Sequence, residues 1–448
     1  MNDTICAIST AVGISAISII RVSGNDSIDI VNKIFDKDLN KIESHTINYG
    51  HIVDNGEIID EVMVTLMKAP RTFTKEDIVE INSHGSIATT NKILEILLNN
   101  GARLATPGEF TKRAFLNGRI DLIEAESIMD LIEAKTDSQR KLAINGINGK
   151  ISNLIKDIIK KLIDINANIE VNIDYPEYED IEVVTKSNIE EISDYINKEL
   201  NKLLETSENG KIIKEGINTL ILGRPNVGKS SILNKLIDED KAIVTDIPGT
   251  TRDIVEGTLR VNGILLNIID TAGIRDTQDI VEKIGVEKSI NLIDNADLVI
   301  LVFNNNEELT KDDLDLLEKT KNKKRIIVIN KMDLEEKLDI NKINENNIVK
   351  VSALDNVDEL KEKISDIYNL EELNNKDFTY LSNSREISLV KKAIEVSNNL
   401  SESLKNDVPI DILELDIKEI CEILGQIIGE SYDDKLVDTL FSNFCLGK

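Results

Sequence analysis

The chain has 448 residues, of which 41% are hydrophobic and 30% are charged, so we expect two or three globular domains rather than a disordered chain. Its net charge of −28, with no Lys/Arg-rich block, argues against a large basic surface for RNA. Three cysteines and three histidines follow no metal-binding spacing and the chain has no long apolar run, so we expect a cytoplasmic protein without a membrane span.

The first 118 residues mix strand and helix patterns. Strands are predicted at residues 16–22, 61–67 and 78–81, where apolar and β-branched residues cluster. A helix is predicted from about residue 86 to residue 98, where an Asn-Asn-Gly turn ends it. This order predicts a small α+β domain over residues 1–118.

Helical patterns follow on both sides of a region in which strands and helices alternate. Alternation over residues 214–375 predicts a doubly wound parallel sheet, inserted between the two halves of a helical domain at 119–213 and 376–448. Apolar residues recur at helical spacing in the two halves. The four predicted stripes are Leu154, Ile158, Leu162, Ile165 and Ile169; Ile192, Ile196, Leu200 and Leu203; Leu389, Ala393, Val396 and Leu400; and Ile412, Leu415, Ile420 and Ile423.

A glycine-rich loop with the sequence GRPNVGKSS occupies residues 223–231, between a predicted strand and a predicted helix. It fits the phosphate-binding pattern G-x-x-x-x-G-K-S, whose backbone N–H groups and following helix N-terminus bind phosphate oxygens. Lys229 would reach the β- and γ-phosphates, and Ser230 would bind Mg²⁺. The loop predicts a nucleoside triphosphate site made by Asn226, Val227, Gly228, Lys229, Ser230 and Ser231.

Selectivity for guanine is predicted by Asn330, Lys331 and Asp333, which follow a predicted strand at 325–329. An aspartate carboxylate accepts hydrogen bonds from N1–H and the 2-amino group of guanine, and adenine has neither donor. Ser352 and Ala353, after another predicted strand, fit the loop that closes over the base. The nucleotide is therefore predicted to be GTP.

A fourth motif, Asp270, Thr271, Ala272 and Gly273, fits the loop that senses Mg²⁺ and the γ-phosphate. Each motif follows a predicted strand, and their order predicts a Ras-like P-loop G domain that hydrolyses GTP. The next residue is Ile274, where many small GTPases have a glutamine that orients the attacking water. We therefore expect another residue to orient the water and a cation to stabilise the transition state.

Further segments carry a resemblance to a known family. They have the sequences IRVSG (20–24), FTKED (73–77), PGEF (107–110), RAFLN (113–117), DIPGTTRD (246–253) and CLGK (445–448). With the G-domain motifs, they make the chain resemble the MnmE (TrmE) family of tRNA-modification GTPases over essentially its whole length. The resemblance implies a folate-binding, dimer-forming domain at residues 1–118.

The resemblance also implies a GTPase that K⁺ activates when two G domains pair. Asn226 would hold K⁺ together with a loop in which Asp246 and Pro248 also contact the nucleotide, and the K⁺ ligands of that loop would be Thr245, Ile247, Gly249 and Thr250. Thr251 would complete Mg²⁺ coordination with Ser230. Glu282 would orient the hydrolytic water, with Lys229 and Asp270 as the other catalytic residues. Asn226 as an ordinary turn residue and Glu282 as a solvent-facing helix residue remain alternatives.

For the N-terminal domain, the resemblance implies that Arg21, Glu80 and Arg119 contact 5,10-methylene- or 5-formyl-tetrahydrofolate and that Lys448 closes this site. The acidic tail of a folate suits Arg and Lys, and the donor edge of its pterin suits a carboxylate. Cys445 has two possible roles, as a reactive nucleophile or carrier and as a packing residue.

The implied biological role is tRNA modification by a homodimer that forms a heterotetramer with MnmG, a partner that carries FAD. Together they would add a carboxymethylaminomethyl or aminomethyl group to C5 of the wobble uridine. The partner would hold most of the tRNA, which agrees with the charge of −28. Two alternatives remain open: a ribosome-assembly GTPase that binds RNA, and a regulatory switch that binds only protein. Folate binding separates both from the first reading.

Overall fold

The structure is a computed structural model that describes residues 3–174, 186–241, 257–269, 292–343, 345–353, 355, 357–370, 380–381, 383–431 and 434–447. The chain divides into two compact units. The first comprises Met1–Ile132, Gly146–Lys198 and Ser388–Lys448, and the second comprises Glu133–Asn145 and Glu199–Ile387. The predicted domain boundaries near residues 118, 213 and 375 remain a proposal.

The described strands form two six-stranded sheets, one in each unit. In the first sheet the strand order is β3-β4-β5-β2-β1-β6, and in the second it is β12-β11-β10-β7-β9-β8. The strands are β1 (Ile5–Ile8), β2 (Ser15–Ser23), β3 (Thr46–Asp54), β4 (Glu57–Met67), β5 (Ile78–Gly85), β6 (Arg103–Leu104), β7 (Ile217–Leu222), β8 (Thr258–Val261), β9 (Ile264–Ile269), β10 (Leu298–Asn304), β11 (Arg325–Asn330) and β12 (Ile348–Lys350).

The described helices lie between these strands and after the last of them along the chain. They are α1 (Ser27–Asn32), α2 (Ile87–Asn99), α3 (Glu109–Leu116), α4 (Leu122–Glu133), α5 (Asp137–Ile147), α6 (Lys150–Asp174), α7 (Lys186–Glu215), α8 (Lys229–Lys241), α9 (Lys311–Lys319), α10 (Asp358–Tyr368), α11 (Ser384–Lys405), α12 (Ile410–Ile428) and α13 (Asp434–Ser442).

The sheet of the first unit has one covered face and one partly open face. Along β4, Val62, Val64 and Leu66 are buried in a core with residues of α1 and α2, whereas Met63 on the other face is 46% exposed. This alternation is typical of a sheet with one face on a core and one face toward water. The open face is where the side chains of Arg21 and Glu80 lie opposite each other on β2 and β5.

Long helices form the rest of the first unit. Helix α6 packs against α12, and Ile158, Leu162, Ile165 and Ile169 of the predicted stripe are buried, which confirms that face of α6. The stripe predicted for α12 is wrong at its beginning, because Ile412 and Leu415 are 51% and 66% exposed. The first turns of α12 carry apolar residues all round the helix, so spacing alone did not identify the buried side. That side contains Leu413, Ile417, Ile420, Ile423, Leu424 and Ile427.

The sheet of the second unit is parallel except for β8, which pairs antiparallel to β9. Every residue of β10 is buried, and its side chains alternate between two hydrophobic clusters. Burial of both faces of a parallel sheet is typical of doubly wound α/β folds. With the α+β and helical parts of the first unit, this sheet confirms the predicted fold class of a multidomain α/β and helical protein.

Candidate functional site

The glycine-rich loop lies where the strand order of the second sheet reverses. Strand β7 pairs with β10 on one side and with β9 on the other, and the loop joins the carboxyl end of β7 to the first turn of α8. In open α/β sheets this switch point is the usual place for a ligand. The local sequence therefore places a helix N-terminus directly behind the loop.

Two glycines of the loop leave no space for a side chain. A Cβ on Gly228 would lie 2.1 Å from Asn330 Nδ2, and a Cβ on Gly223 would lie 2.4 Å from the carbonyl oxygen of Val302. Gly228 also has a φ of +100°, which L side chains rarely adopt. These close approaches require glycine at both positions.

Lys229 lies against the backbone of the same loop. Its Nζ donates hydrogen bonds to the carbonyl oxygens of Gly223, at 2.7 Å, and Arg224, at 2.8 Å. Burial lowers the pKa of Lys229. The ammonium group is thus held beside the loop by the chain itself, and its role in phosphate binding stays a prediction.

Asn330 joins the loop to the predicted guanine-binding segments. Its Nδ2 donates to the carbonyl oxygen of Val227 at 2.9 Å, and its Oδ1 accepts from the N–H of Ala353 at 3.1 Å. The residue is 2% exposed and ends strand β11. Three segments that are far apart in sequence therefore meet at one amide side chain.

Asp333 and Ser352, the predicted base contacts, also lie together. Ser352 Oγ donates to Asp333 Oδ1 at 3.1 Å, and Asp333 is exposed. Lys331 has a φ of +63°, which turns the chain between Asn330 and Asp333. A carboxylate held in this way can accept the two donors of a guanine edge.

The remaining predicted residues of the described loop differ in exposure. Val227 is buried in the core, Asn226 and Ser231 are exposed, and Ser230 is half-buried in the first turn of α8. Asn226 has a φ of +64° and is followed by the buried Val227, so its amide lies on the outer side of the loop. Its position fits both a turn residue and a cation ligand.

Many predicted residues lie outside the part of the chain that the structure describes. They are Thr245, Asp246, Ile247, Pro248, Gly249, Thr250, Thr251, Asp270, Thr271, Ala272, Gly273, Glu282 and Lys448. Of the predicted Mg²⁺ ligands the structure thus describes Ser230, and of the predicted K⁺ ligands it describes Asn226. Their assignments remain predictions.

Sequence reasoning did not assign a role to Arg224, the second residue of the loop. Its Nε donates to Asp313 Oδ1 at 3.0 Å, and its Nη2 donates to Glu307 Oε2 at 2.7 Å. Asp313 belongs to a capping box with Thr310 at the start of α9. The sequence carries the [ST]-x-x-[DE] signal of that box, but it does not indicate that Asp313 also binds the loop.

The second predicted site lies on the open face of the first sheet. Arg21 Nε donates to Glu80 Oε1 at 2.8 Å, and the guanidinium carbon of Arg21 lies 5.6 Å from the centre of the Phe110 ring. The structure therefore brings two of the predicted folate contacts together as a cross-strand ion pair. Their side chains are 18% and 21% exposed, so both are accessible from one side.

Arg119 borders the same apolar cluster. Its Nη1 donates to the carbonyl oxygen of Phe73 at 3.2 Å, and its guanidinium carbon lies 4.8 Å from the centre of the Phe73 ring. Phe73 packs against the cluster that contains Phe110 and Ala7. Ala7 in turn pairs with Arg21 across β1 and β2. Arg21 and Arg119 thus border the same buried apolar cluster.

The C-terminal segment, residues 445–447, packs beside this apolar cluster. The carbonyl oxygen of Gly447 accepts from Ser9 Oγ at 3.2 Å and from Arg21 Nη1 at 3.4 Å, and the carbonyl oxygen of Cys445 accepts from Gly108 N–H at 3.2 Å. A Cβ on Gly447 would lie 2.5 Å from the carbonyl oxygen of Ile8. Gly447 therefore lies directly against Arg21.

The three cysteines differ in their surroundings. Burial raises the pKa of Cys6 to about 12 and that of Cys421 to about 11, so neither forms a thiolate near neutral pH. Cys445 is exposed at the folate candidate site. Exposure leaves both the reactive and the packing role of Cys445 open.

The described residues contain no group of three or more His, Cys, Asp or Glu side chains placed to hold a metal ion. Among the same residues, no helix is both long enough and apolar enough to cross a membrane.

Comparison with known proteins covers both units. The family model described as "MnmE helical domain" matches residues 122–445, and the one described as "GTP-binding protein TrmE N-terminus" matches residues 4–119. The structure also resembles the G domain of the T. maritima FeoB iron transporter, at 30% identity over 34% of this chain and 98% of that chain. The TM-score of 0.25 is too low for that likeness to add to the assignment.

Curated relatives match the chain from end to end. The tRNA modification GTPases MnmE of Streptococcus thermophilus and Bacillus licheniformis are 51% and 50% identical to it over 100% of this chain and 98% and 100% of their own lengths. The same protein of Streptococcus pneumoniae is 52% identical over 100% of this chain and 99% of its own length. The chain belongs to the MnmE family of tRNA modification GTPases.

Proposed function

We propose that this GTPase acts with a flavin-dependent MnmG partner to add a carboxymethylaminomethyl or aminomethyl group to C5 of the wobble uridine of certain tRNAs. The observation that carries the proposal is the second site, where Arg21, Glu80 and the C-terminal segment meet on the open sheet face. A GTPase switch without a one-carbon reaction has no evident use for this arrangement. GTP hydrolysis would drive the conformational cycle of the complex.

Several features of the loop support binding of GTP with Mg²⁺. The glycines bring the loop backbone close to Val302 and Asn330, Lys229 is held beside the loop, and Ser230 lies in the first turn of the helix behind it. Ser230 and Thr251 would hold Mg²⁺, which neutralises charge that develops on the phosphate oxygens. Asn330 fixes the loop relative to Asp333, so the phosphate and base contacts would be aligned before GTP binds.

Activation by K⁺ is the part of the proposal that rests on Asn226 and its neighbours. An exposed amide oxygen suits this cation, and Asn226 lies on the outer side of the loop. Thr245, Ile247, Gly249 and Thr250 would supply the other oxygen ligands. A cation at this position stabilises negative charge in the transition state, as an arginine finger does in other GTPases. Glu282 would orient the attacking water in place of Ile274.

The folate site is supported by the chemistry of its residues. The guanidinium groups of Arg21 and Arg119 suit the carboxylates of a 5,10-methylene- or 5-formyl-tetrahydrofolate, and the carboxylate of Glu80 suits the donor edge of a pterin. Arg21 lies against the ring of the buried Phe110 and Arg119 against that of the half-buried Phe73, and these contacts help to fix the two guanidinium groups. Lys448 follows Gly447 directly and would close the site.

A homodimer joined through the N-terminal sheet is part of the proposal. Large apolar side chains are exposed on β2, on β3 and in the loop before β2. Single exposed residues of this kind are common on protein surfaces, whereas groups of them are not. They are Val12 (71%), Ile14 (97%), Ile17 (51%), Ile47 (68%) and Tyr49 (56%). Burial against a second copy would remove this surface from water. We further propose that the dimer binds MnmG, that MnmG holds most of the tRNA, and that the complex is cytoplasmic.

Calorimetric titration of the full chain with 5-formyl-tetrahydrofolate tests the proposal. We expect saturable binding by the parent chain. The Kd for the folate should rise at least tenfold in Arg21→Ala and in a chain ending at Phe444, because each change removes a charged contact at the site. Arg140→Ala is the matched control, since Arg140 pairs with Asp137 on a helix surface and is 53% exposed. Binding of guanine nucleotide should be unchanged in all three variants.

The titration has an outcome that contradicts the proposal. If the parent chain binds guanine nucleotide but no reduced folate, the folate-dependent modification is wrong. The two alternatives would then be a ribosome-assembly GTPase and a regulatory switch that binds only protein, and binding to ribosomal particles should be measured first.

A further inference from the structure

We infer that Arg224 is a positioning residue of the GTP site, which increases nucleotide affinity by anchoring the glycine-rich loop to the loop that follows β10. The inference rests on GTP binding by the G domain and adds a residue that none of the sequence motifs assigns. Arg224 does not act on the phosphates itself, because its side chain is directed to two carboxylates on the other side of the loop.

The anchor is a forked ion pair. Arg224 Nε reaches Asp313 at 3.0 Å and Arg224 Nη2 reaches Glu307 at 2.7 Å, so two N–H groups of one guanidinium are used. The Arg224 side chain is 21% exposed and that of Asp313 is 2% exposed. A charge-assisted pair of this kind in a partly buried place is stronger and better defined in geometry than a surface ion pair.

Both carboxylates are themselves held in place. Asp313 Oδ2 accepts from the N–H and from Oγ1 of Thr310, each at 2.9 Å, in the capping box of α9. Glu307 Oε1 accepts from Asn304 Nδ2 at 2.6 Å. Arg224 therefore binds one buried carboxylate, Asp313, and a second one, Glu307, that is 46% exposed but is hydrogen-bonded to the last residue of β10.

The same anchoring loop is bound to the guanine-binding segment. The N–H of Asn305 donates to the carbonyl oxygen of Asn330 at 2.9 Å, and Asn305 Nδ2 donates to that of Leu334 at 3.2 Å. The glycine-rich loop is thus held at Arg224, near its beginning, and at Val227, which Asn330 binds. The partners of these two residues lie at the carboxyl ends of β10 and β11. Between Arg224 and Val227, residues 225 and 226 are exposed.

The physical consequence concerns binding rather than the chemical step. Lys229 Nζ donates to the carbonyl oxygens of Gly223 and Arg224, so the position of the lysine depends on that part of the loop. Without the anchor, the loop has more conformations to lose when it closes around phosphates, and this weakens binding. Because ground state and transition state both need the ordered loop, Kd and KM should change more than kcat.

Arg224→Met in the full chain tests the inference, since methionine keeps the apolar stem and removes the fork. We expect the Kd for fluorescent GDP, and for a non-hydrolysable GTP analogue, to rise on the order of tenfold, with KM following and kcat within about twofold. Arg224→Lys should recover only part of the affinity, because an ammonium cannot make the same two contacts. Asp313→Asn combined with Arg224→Met should cost less than the sum of the single changes.

Arg325→Met is the matched control. Arg325 also pairs with a carboxylate, that of Glu345, and donates to Thr320. It begins β11 and therefore lies at the amino ends of the parallel strands, whereas the glycine-rich loop lies at their carboxyl ends. Its removal should lower the unfolding temperature without changing the Kd. A Kd of Arg224→Met within twofold of the parent, or a rise no larger than that of Arg325→Met, would overturn the inference. The Kd of the parent chain, measured in the same series, reports nucleotide binding separately.

Discussion

Asn330 shows how one side chain can combine two loops into one site. The sequence assigns it to guanine recognition, yet its amide binds the glycine-rich loop through Val227 and the base-closing loop through Ala353. It is almost completely buried, so both hydrogen bonds are shielded from water and each partner would be costly to leave unsatisfied. The geometry of the phosphate contacts and that of the base contacts therefore depend on the same residue.

Gly228→Ala should abolish nucleotide binding. The added Cβ would lie 2.1 Å from Asn330 Nδ2, and the φ of +100° is strained for alanine, so the loop or Asn330 must move. We expect the Kd for guanine nucleotides to rise at least a hundredfold, as equilibrium fluorescence titration would measure. Gly13→Ala is the control, because a Cβ there meets nothing within 4 Å. An unchanged Kd in Gly228→Ala would show that the loop does not contact the phosphates.

At this scale the sequence predicted residue types better than residue contacts. The motifs indicated Gly228, Lys229, Asn330 and Asp333 because phosphate and guanine binding need those types at that spacing. No such rule covers Arg224, whose partner Asp313 is 89 positions away. Long-range ion pairs depend on how the strands align, and local spacing carries no signal for that.

Helix α3 is an element whose position depends on buried charge. Glu109 at its first turn accepts from Arg103 Nη2 and from Arg113 Nη2, at 2.6 Å and 3.1 Å, and Arg113 is 1% exposed. Burial by itself raises the pKa of Glu109, but hydrogen bonds from Arg103, Thr106 and Arg113 outweigh it and lower the pKa to about 2. The helix carries Phe110 of the folate candidate site, so this cluster supports that site indirectly.

Glu109→Gln should destabilise the first unit by about 3 kcal/mol at pH 7, because it leaves the buried Arg113 without one of its charged partners. The folded-state pKa lies below the ordinary value of 4.5, so the contribution of the carboxylate is complete above about pH 4.5 and is lost toward about pH 2. Urea unfolding at several pH values should show the difference between variant and parent shrinking over that range.

Asp407→Asn provides the control for this experiment. Asp407 pairs with Lys186 but is 89% exposed, so we expect its loss to leave the free energy of unfolding close to that of the parent. A pH-independent difference between Glu109→Gln and the parent would contradict the pKa assigned to Glu109.

Among the elements, the sequence predicted those with a clear period. The strand predicted before the glycine-rich loop is β7, and the helix predicted near residues 86–98 is α2. It missed β3, where the apolar residues Ile47 and Tyr49 are exposed and the buried positions include Gly50, so apolar residues do not mark the buried face of the strand. The error at the start of α12 has the same cause in a helix.

At the scale of the whole molecule, the sequence predicted the order of the parts because motifs follow strands in a fixed sequence. Local sequence patterns could not predict that the C-terminal segment returns to the beginning of the chain. Ser9, directly after β1, there donates a hydrogen bond to Gly447, which is 438 positions away. Contacts between the ends of a chain follow from the complete fold. They place the C-terminal segment at Arg21, and the family resemblance alone had assigned it there.

The two candidate sites give one chain two ligands, a guanine nucleotide and, by proposal, a reduced folate. The net charge of −28 makes tight binding of bare tRNA by this chain unfavourable, which agrees with a partner that holds the RNA. We therefore propose that nucleotide hydrolysis and one-carbon chemistry serve a single modification of tRNA.

Mass spectrometry of nucleosides from total tRNA tests this claim most directly. A strain lacking the gene should lose the aminomethyl-type uridines modified at C5, and the parent gene should restore them. Neither Asp270→Ala nor Arg21→Ala should do so, because the first change removes a residue predicted to sense the γ-phosphate and the second removes a contact at the folate candidate site. An unchanged nucleoside profile in the deletion strain would contradict the account.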